Sequence, residues 1–125
     1  MTTENVVRLA ELQENGELPP NAEDAIALTF AERHAHELRY VAAWGRWLAF
    51  DGTRWRYDDT LHAFDRARAI CREVALECEK PGVASVVASA KTVASVVRLA
   101  AADRRLAATV AQWDEGLWLF NTEED

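Results

Sequence analysis

At 125 residues and 14.0 kDa, half of them apolar, the sequence holds material for one modest core and not for two. A net charge of -7 with a pI near 5.0 opposes nonspecific adhesion to polyanions, and no apolar run reaches the roughly 18 residues that a membrane span needs. The opening MTTENVVRLAELQENG carries acids where a secretory signal carries bases, so a cytoplasmic protein with no membrane partner is expected.

Residues 1–21 read as a leader and linker. Val6, Val7, Leu9, Ala10 and Leu12 outline a short, weakly amphipathic helix, and Asn15-Gly16 and Pro19-Pro20 break it. Residues 22–125 then read as a single domain. Glu23 and Asp24 suit the positive end of a helix dipole, and Ile26 and Phe30 stand four apart, which predicts a helix from Ala22 to His36.

From Leu38 to Asp58 the pattern changes to LRYVAAWGRWLAFDGTRWRYD, where aromatic residues crowd around Trp44-Gly45 and Asp51-Gly52. This predicts a small antiparallel meander. Asp-Gly favours a type I′ turn, which needs positive φ at both central residues. In the strand that follows, alternation puts Thr53, Trp55 and Tyr57 on one face and Arg54 and Arg56 on the other.

Asp59 or Thr60 can cap the next helix, in which Phe64, Ala67, Cys71, Val74 and Cys78 form one stripe. Pro81-Gly82 ends it. A second long helix is expected from Val83 to Leu106, with Val83, Val86, Val87, Ala90, Ala94, Val97 and Ala101 on one side. The pentad VASVV recurs ten residues apart, too close for a solenoid repeat. Leu117 to Phe120 reads as a short final strand. The fold class is therefore α+β: a small antiparallel meander packed on three to four helices.

The charge is unevenly spread. Between Arg33 and Tyr57, five arginines face only Glu37 and Asp51, a net of +3 that leaves -10 for the rest. If a surface meets phosphate, it is this one. Arg39, Arg46, Arg54 and Arg56 are the candidate phosphate contacts, with Trp47 or Trp55 as an exposed stacking platform. The competing reading gives the tryptophans to the seal between sheet and helices and leaves the arginines to solvate the other face.

Catalytic chemistry is not legible. The glycines are scattered through turns, and Lys91-Thr92 lacks the glycines of a phosphate-binding loop. His34 and His36 point away from each other on a helix and read as a solvated helix end. Asp58 and Asp59 precede a helix and read as caps rather than as metal ligands. Cys71 and Cys78 lie seven apart on one helix, about 10 Å between Cα atoms, which excludes a disulfide between them. No catalytic residue, metal or cofactor is assigned, and the chain is expected not to be an enzyme.

The run AIALTFAERHAHELRYVAAWGRWLAFDGTRWRYDDT, the helix AFDRARAICREVA and the closing SAKTVASVVRLAAADRRLAATVAQWDEGLWLFNT resemble the N-terminal accessory domain of phage and plasmid DNA primase/helicase proteins, a domain shared with the poxvirus-type primase/helicase. The likeness spans Asn21 to Thr122. Its most diagnostic pieces are LRYVAAWGRWLAFDGTRWRYDD, Trp113-Asp114 and Trp118 to Thr122.

The resemblance implies a mobile-element origin and a module between a primase and a superfamily 3 helicase, whose ATP-hydrolysing motifs this sequence does not contain. Where that family continues through a glycine-containing turn and another strand, this sequence reads Glu123-Glu124-Asp125. A cut domain or a stand-alone prophage protein is expected. Two functions follow. One is a non-catalytic replication module that links or positions primase and helicase and contacts single-stranded nucleic acid. The other is a stand-alone acidic protein that binds and modulates a host protein or nucleic-acid complex, with charge complementarity selecting the partner.

Overall fold

The computed structural model describes residues 18–113 as an α+β fold in which helices cover one face of a four-stranded mixed sheet. The expected leader helix and the expected strand at 117–120 lie outside the described residues. A turn closed by the Ala22 amide on the Pro19 carbonyl (3.0 Å) leads into α1, Glu23–His34. Its buried face is Ile26, Ala27, Phe30 and Ala31. The helix stops two residues short of the expected His36. Arg39 reaches back to donate to the Ala35 carbonyl, and the Glu37 amide closes a turn on His34 at 3.0 Å.

The meander forms as three antiparallel strands, β1 (Leu38–Val41), β2 (Arg46–Phe50) and β3 (Trp55–Tyr57). Gly45 takes φ +62° in the first hairpin, a conformation costly for residues with a side chain. The second hairpin does not have the expected type I′ geometry, because only Gly52 has positive φ (+99°). The Asp51 carboxylate instead accepts the amides of Thr53 and Arg54 at 2.8 and 2.9 Å and fixes the turn itself.

Helix α2 spans His62–Glu77 and buries Ala63, Ala67, Ile70 and Cys71. Its cap is neither Asp59 nor Thr60. Asp58 accepts from the amides of His62 (2.8 Å) and Ala63 (2.9 Å), and this clamp holds Leu61 at φ 60°.

The expected long helix from Val83 to Leu106 is two helices, α3 (Pro81–Val87) and α4 (Ala90–Ala100). Pro81 opens α3 at a position where its missing amide costs nothing. Ser89 breaks the run because its hydroxyl accepts the Thr92 amide at 3.2 Å, an N-cap for α4. The break shifts the helical phase. Val83 and Val86 therefore face outward, and the buried set of α4 becomes Thr92, Val93, Val96 and Ala100.

After α4 a turn at Asp103 feeds β4, Ala107–Ala108, which pairs parallel with β1 and gives the order β3-β2-β1-β4. The sheet is therefore mixed, where the sequence pattern predicts only antiparallel strands.

The main core lies between sheet and helices, around Phe30, Leu38, Ile70, Val93, Val96 and Leu106. A smaller cluster sits on the opposite sheet face: Val41, Leu48, Trp55 and Ala108 beneath Trp44, Phe50, Val110 and Trp113. Cys71 is buried and its thiol is pushed up by burial, while Cys78 donates to the Val74 carbonyl. Among the described residues no single helix is long and apolar enough to cross a membrane; α3 and α4 bend by 51° at their junction.

Candidate functional site

Strand register divides the candidate residues between two faces. Arg39 pairs with Leu48, Arg46 with Val41, and Trp55 with Phe50, so these side chains share the face away from the helices. Trp47 pairs with Tyr40 and Arg56 with Ala49, on the helix face. Arg54 stands in the second hairpin, at the far end of β2 from Arg46. The six candidates do not form one patch.

Their environments differ as much as their positions. Arg39 donates to the carbonyls of Leu38 (2.7 Å) and Ala35 and lies over the Trp55 ring at 5.1 Å. Burial pulls its guanidinium pKa down, and its role here is to lock the exit of α1. Trp55 is 6% exposed, so it is a core residue and not the exposed stacking platform expected of it. Arg56 is paired with Asp51, whose carboxyl is held far below its usual range first by the Arg54 amide and then by Arg56. Arg46 is exposed and lies 4.0 Å over the Tyr57 ring. Of the meander's arginines, Arg46 and Arg54 retain exposed guanidinium groups without an ion pair among the described residues.

Trp47 packs against Phe30 edge-on (5.9 Å between ring centroids) and against Tyr40 (5.1 Å). One side of it seals the core, and the other lines an open cleft with Tyr40, Phe64 and Arg98. From the sequence Phe64 is legible only as core, and Arg98 carries no functional signal. The one signal for Arg98 is a basic residue in the last turn of α4, a position that helix-dipole electrostatics already explains.

A second polar constellation ties α1 to α2. Glu37 receives hydrogen bonds from His34 Nδ1 (2.6 Å) and His62 Nε2 (3.2 Å), and Arg66 Nε stands 3.6 Å away. Burial alone would raise the Glu37 carboxyl, but the bonds from His62 and His34 outweigh it and hold it below the usual range. Burial pushes His34 below its usual value, against the pull of Glu37. The neutral imidazole therefore donates to an ionised carboxylate. His34 is not the solvated helix end its sequence position implies; it is half-buried, and only His36 is exposed. Among the described residues no group of three or more His, Cys, Asp or Glu has the geometry to hold a metal ion.

Against known proteins, a family model described as D5 N terminal like matches residues 27–124. No curated protein and no solved structure shows significant similarity to the chain.

Proposed function

We propose, from the premise that the chain belongs to the D5 N-terminal-like family of phage and plasmid primase-helicase proteins, that it is a non-catalytic accessory module that positions single-stranded nucleic acid beside a replication enzyme. The observation that carries this reading is the family match over residues 27–124, which ties the chain to a primase/helicase-associated replication module. Two features of the fold fit it. The exposed arginines Arg46 and Arg54 offer cations to phosphate, and partly buried aromatic residues line a cleft. The charge balance keeps such binding weak and salt-sensitive, because a chain of net charge -7 repels a polyanion outside its few basic positions.

A second reading, a protein that docks on a basic partner and modulates it, is favoured by the end of α2 and by α3. Leu76, next to Glu77, is 87% exposed, and Val83, 36% exposed, lines a groove with Glu77, Glu79 and Lys80, which combines apolar area with mostly negative charge. Helicase, primase or host nucleic-acid machinery would be such a partner.

The test is a fluorescence-anisotropy titration of a labelled single-stranded oligonucleotide with the full chain at low and at moderate salt, with Arg46→Ala/Arg54→Ala in parallel. The first reading predicts binding that weakens with salt and weakens again in the double variant. A flat titration at low salt would sink it and leave the partner-protein reading.

A further inference from the structure

Helix α4 and the Ala101 that caps it bring Ala94, Val97, Arg98 and Ala101 to the end of the sheet where Tyr40 and Trp47 pair, and Phe64 of α2 lines the same space. The result is a cleft of about 280 Å³ in which none of the lining residues is buried. Three partly buried aromatic side chains keep some surface open around one opening. Trp47 is held by Phe30 and Tyr40, so this wall is formed in advance of any ligand. Arg98 is exposed at the same cleft, with no hydrogen bond or ion pair among the described residues.

We propose that this cleft takes one unpaired base of a single strand, with its ring among Tyr40, Trp47 and Phe64 and the adjoining phosphate on Arg98. The proposal rests on the single-strand reading above and names its site. The volume falls just under the roughly 300–1,000 Å³ of sites for drug-sized ligands, which suits one flat ring system and not several. The chemistry is that of a sequence-tolerant strand contact, since every base has a face to stack and every nucleotide a phosphate to pair.

A second cleft, lined by Thr60, Leu61, His62, Asp65 and Arg68, shares Phe64 as a wall. A strand leaving the first cleft across Phe64 meets it next. Leu61 there is 72% exposed at φ 60°, a strained conformation held by the Asp58 clamp, of the kind that ligand sites retain. Arg68 on this side is ion-paired with Asp65 at 4.0 Å.

The test compares two labelled strands of equal length and phosphate charge, one of thymidylate and one of abasic sugars, each titrated with the wild-type chain at low salt. Base capture predicts roughly tenfold tighter binding of the thymidylate strand. Ala94→Leu, which fills the cleft, should bring thymidylate down to the abasic level and leave abasic binding unchanged, and Arg98→Ala should weaken both strands. Equal affinity of the wild type for the two strands overturns the base cleft while single-strand binding survives. Binding of neither strand overturns both. The wild-type comparison requires no variant, so a folding defect in Ala94→Leu cannot rescue the proposal.

Discussion

The two faces of the sheet use the same residue types to opposite ends. On the face away from the helices, cations lie over rings, Arg39 on the buried Trp55 and Arg46 on Tyr57, which is 47% exposed. On the helix face the rings of Tyr40, Trp47 and Phe64 stay partly open, and the cation beside them, Arg98, is unengaged among the described residues. Arginine interleaved with tryptophan in a sequence therefore does not by itself say which face of the sheet binds. What separates the two faces is whether the cation lies over a ring or stands beside one without touching it.

The largest effect separates the faces by their contribution to stability. Phe30 is fully buried against helices and sheet, and Phe30→Ala should cost about 3–5 kcal/mol in urea unfolding. Leu48, fully buried in the smaller cluster, should cost less, about 2–3 kcal/mol as Leu48→Ala. An equal or larger loss at Leu48 would mean that the outer cluster is a core of equal standing. Next in size is the Asp58 clamp between the sheet and α2. Asp58→Ala should cost about 1–2 kcal/mol by thermal denaturation, because it frees the amides of His62 and Ala63 and the constraint on Leu61.

The Glu37 cluster should make the helix side sensitive to pH. His34 has a lowered pKa in the fold, so the unfolded chain takes up that proton first, and stability falls as pH drops below the ordinary histidine value of about 6.5. Glu37, also lowered, contributes stability that is full above the usual carboxylate value of about 4.3 and is lost as pH falls through its folded pKa. Melting temperatures at pH 7.5 and 5.5 should differ in the wild type and differ less in His34→Gln. The smallest effect belongs to the exposed pair on the other face: Arg46→Ala should cost no more than about 0.5–1 kcal/mol, the size of a cation–ring contact in water.

Much of this fold is legible because its signals are local. Ile26 and Phe30 mark the buried stripe of α1, Trp44-Gly45 and Asp51-Gly52 mark the hairpins, and the glycines do take positive φ. What escapes is non-local. Ala107 and Ala108 have no strand signature and become β4 only because Leu106 is buried in the core and its carbonyl receives the Tyr40 amide at 2.7 Å. The break at Ser89 hides in an alanine and valine run whose composition favours one continuous helix, and it takes a hydroxyl bond to Thr92 to redirect the chain. The cleft is the extreme case. Tyr40, Trp47, Phe64 and Arg98 come from β1, β2, α2 and α4, so only the packing of all four elements puts them together.

The central claim, that a single strand is held on the helix face at Tyr40, Trp47 and Phe64, is tested most directly by ultraviolet crosslinking of an iodouridine-substituted single strand to the full chain, followed by peptide mapping. The account predicts crosslinks to the peptides carrying Tyr40, Trp47 and Phe64. Crosslinks confined to Trp55 and Tyr57 would contradict it and move the site to the opposite face.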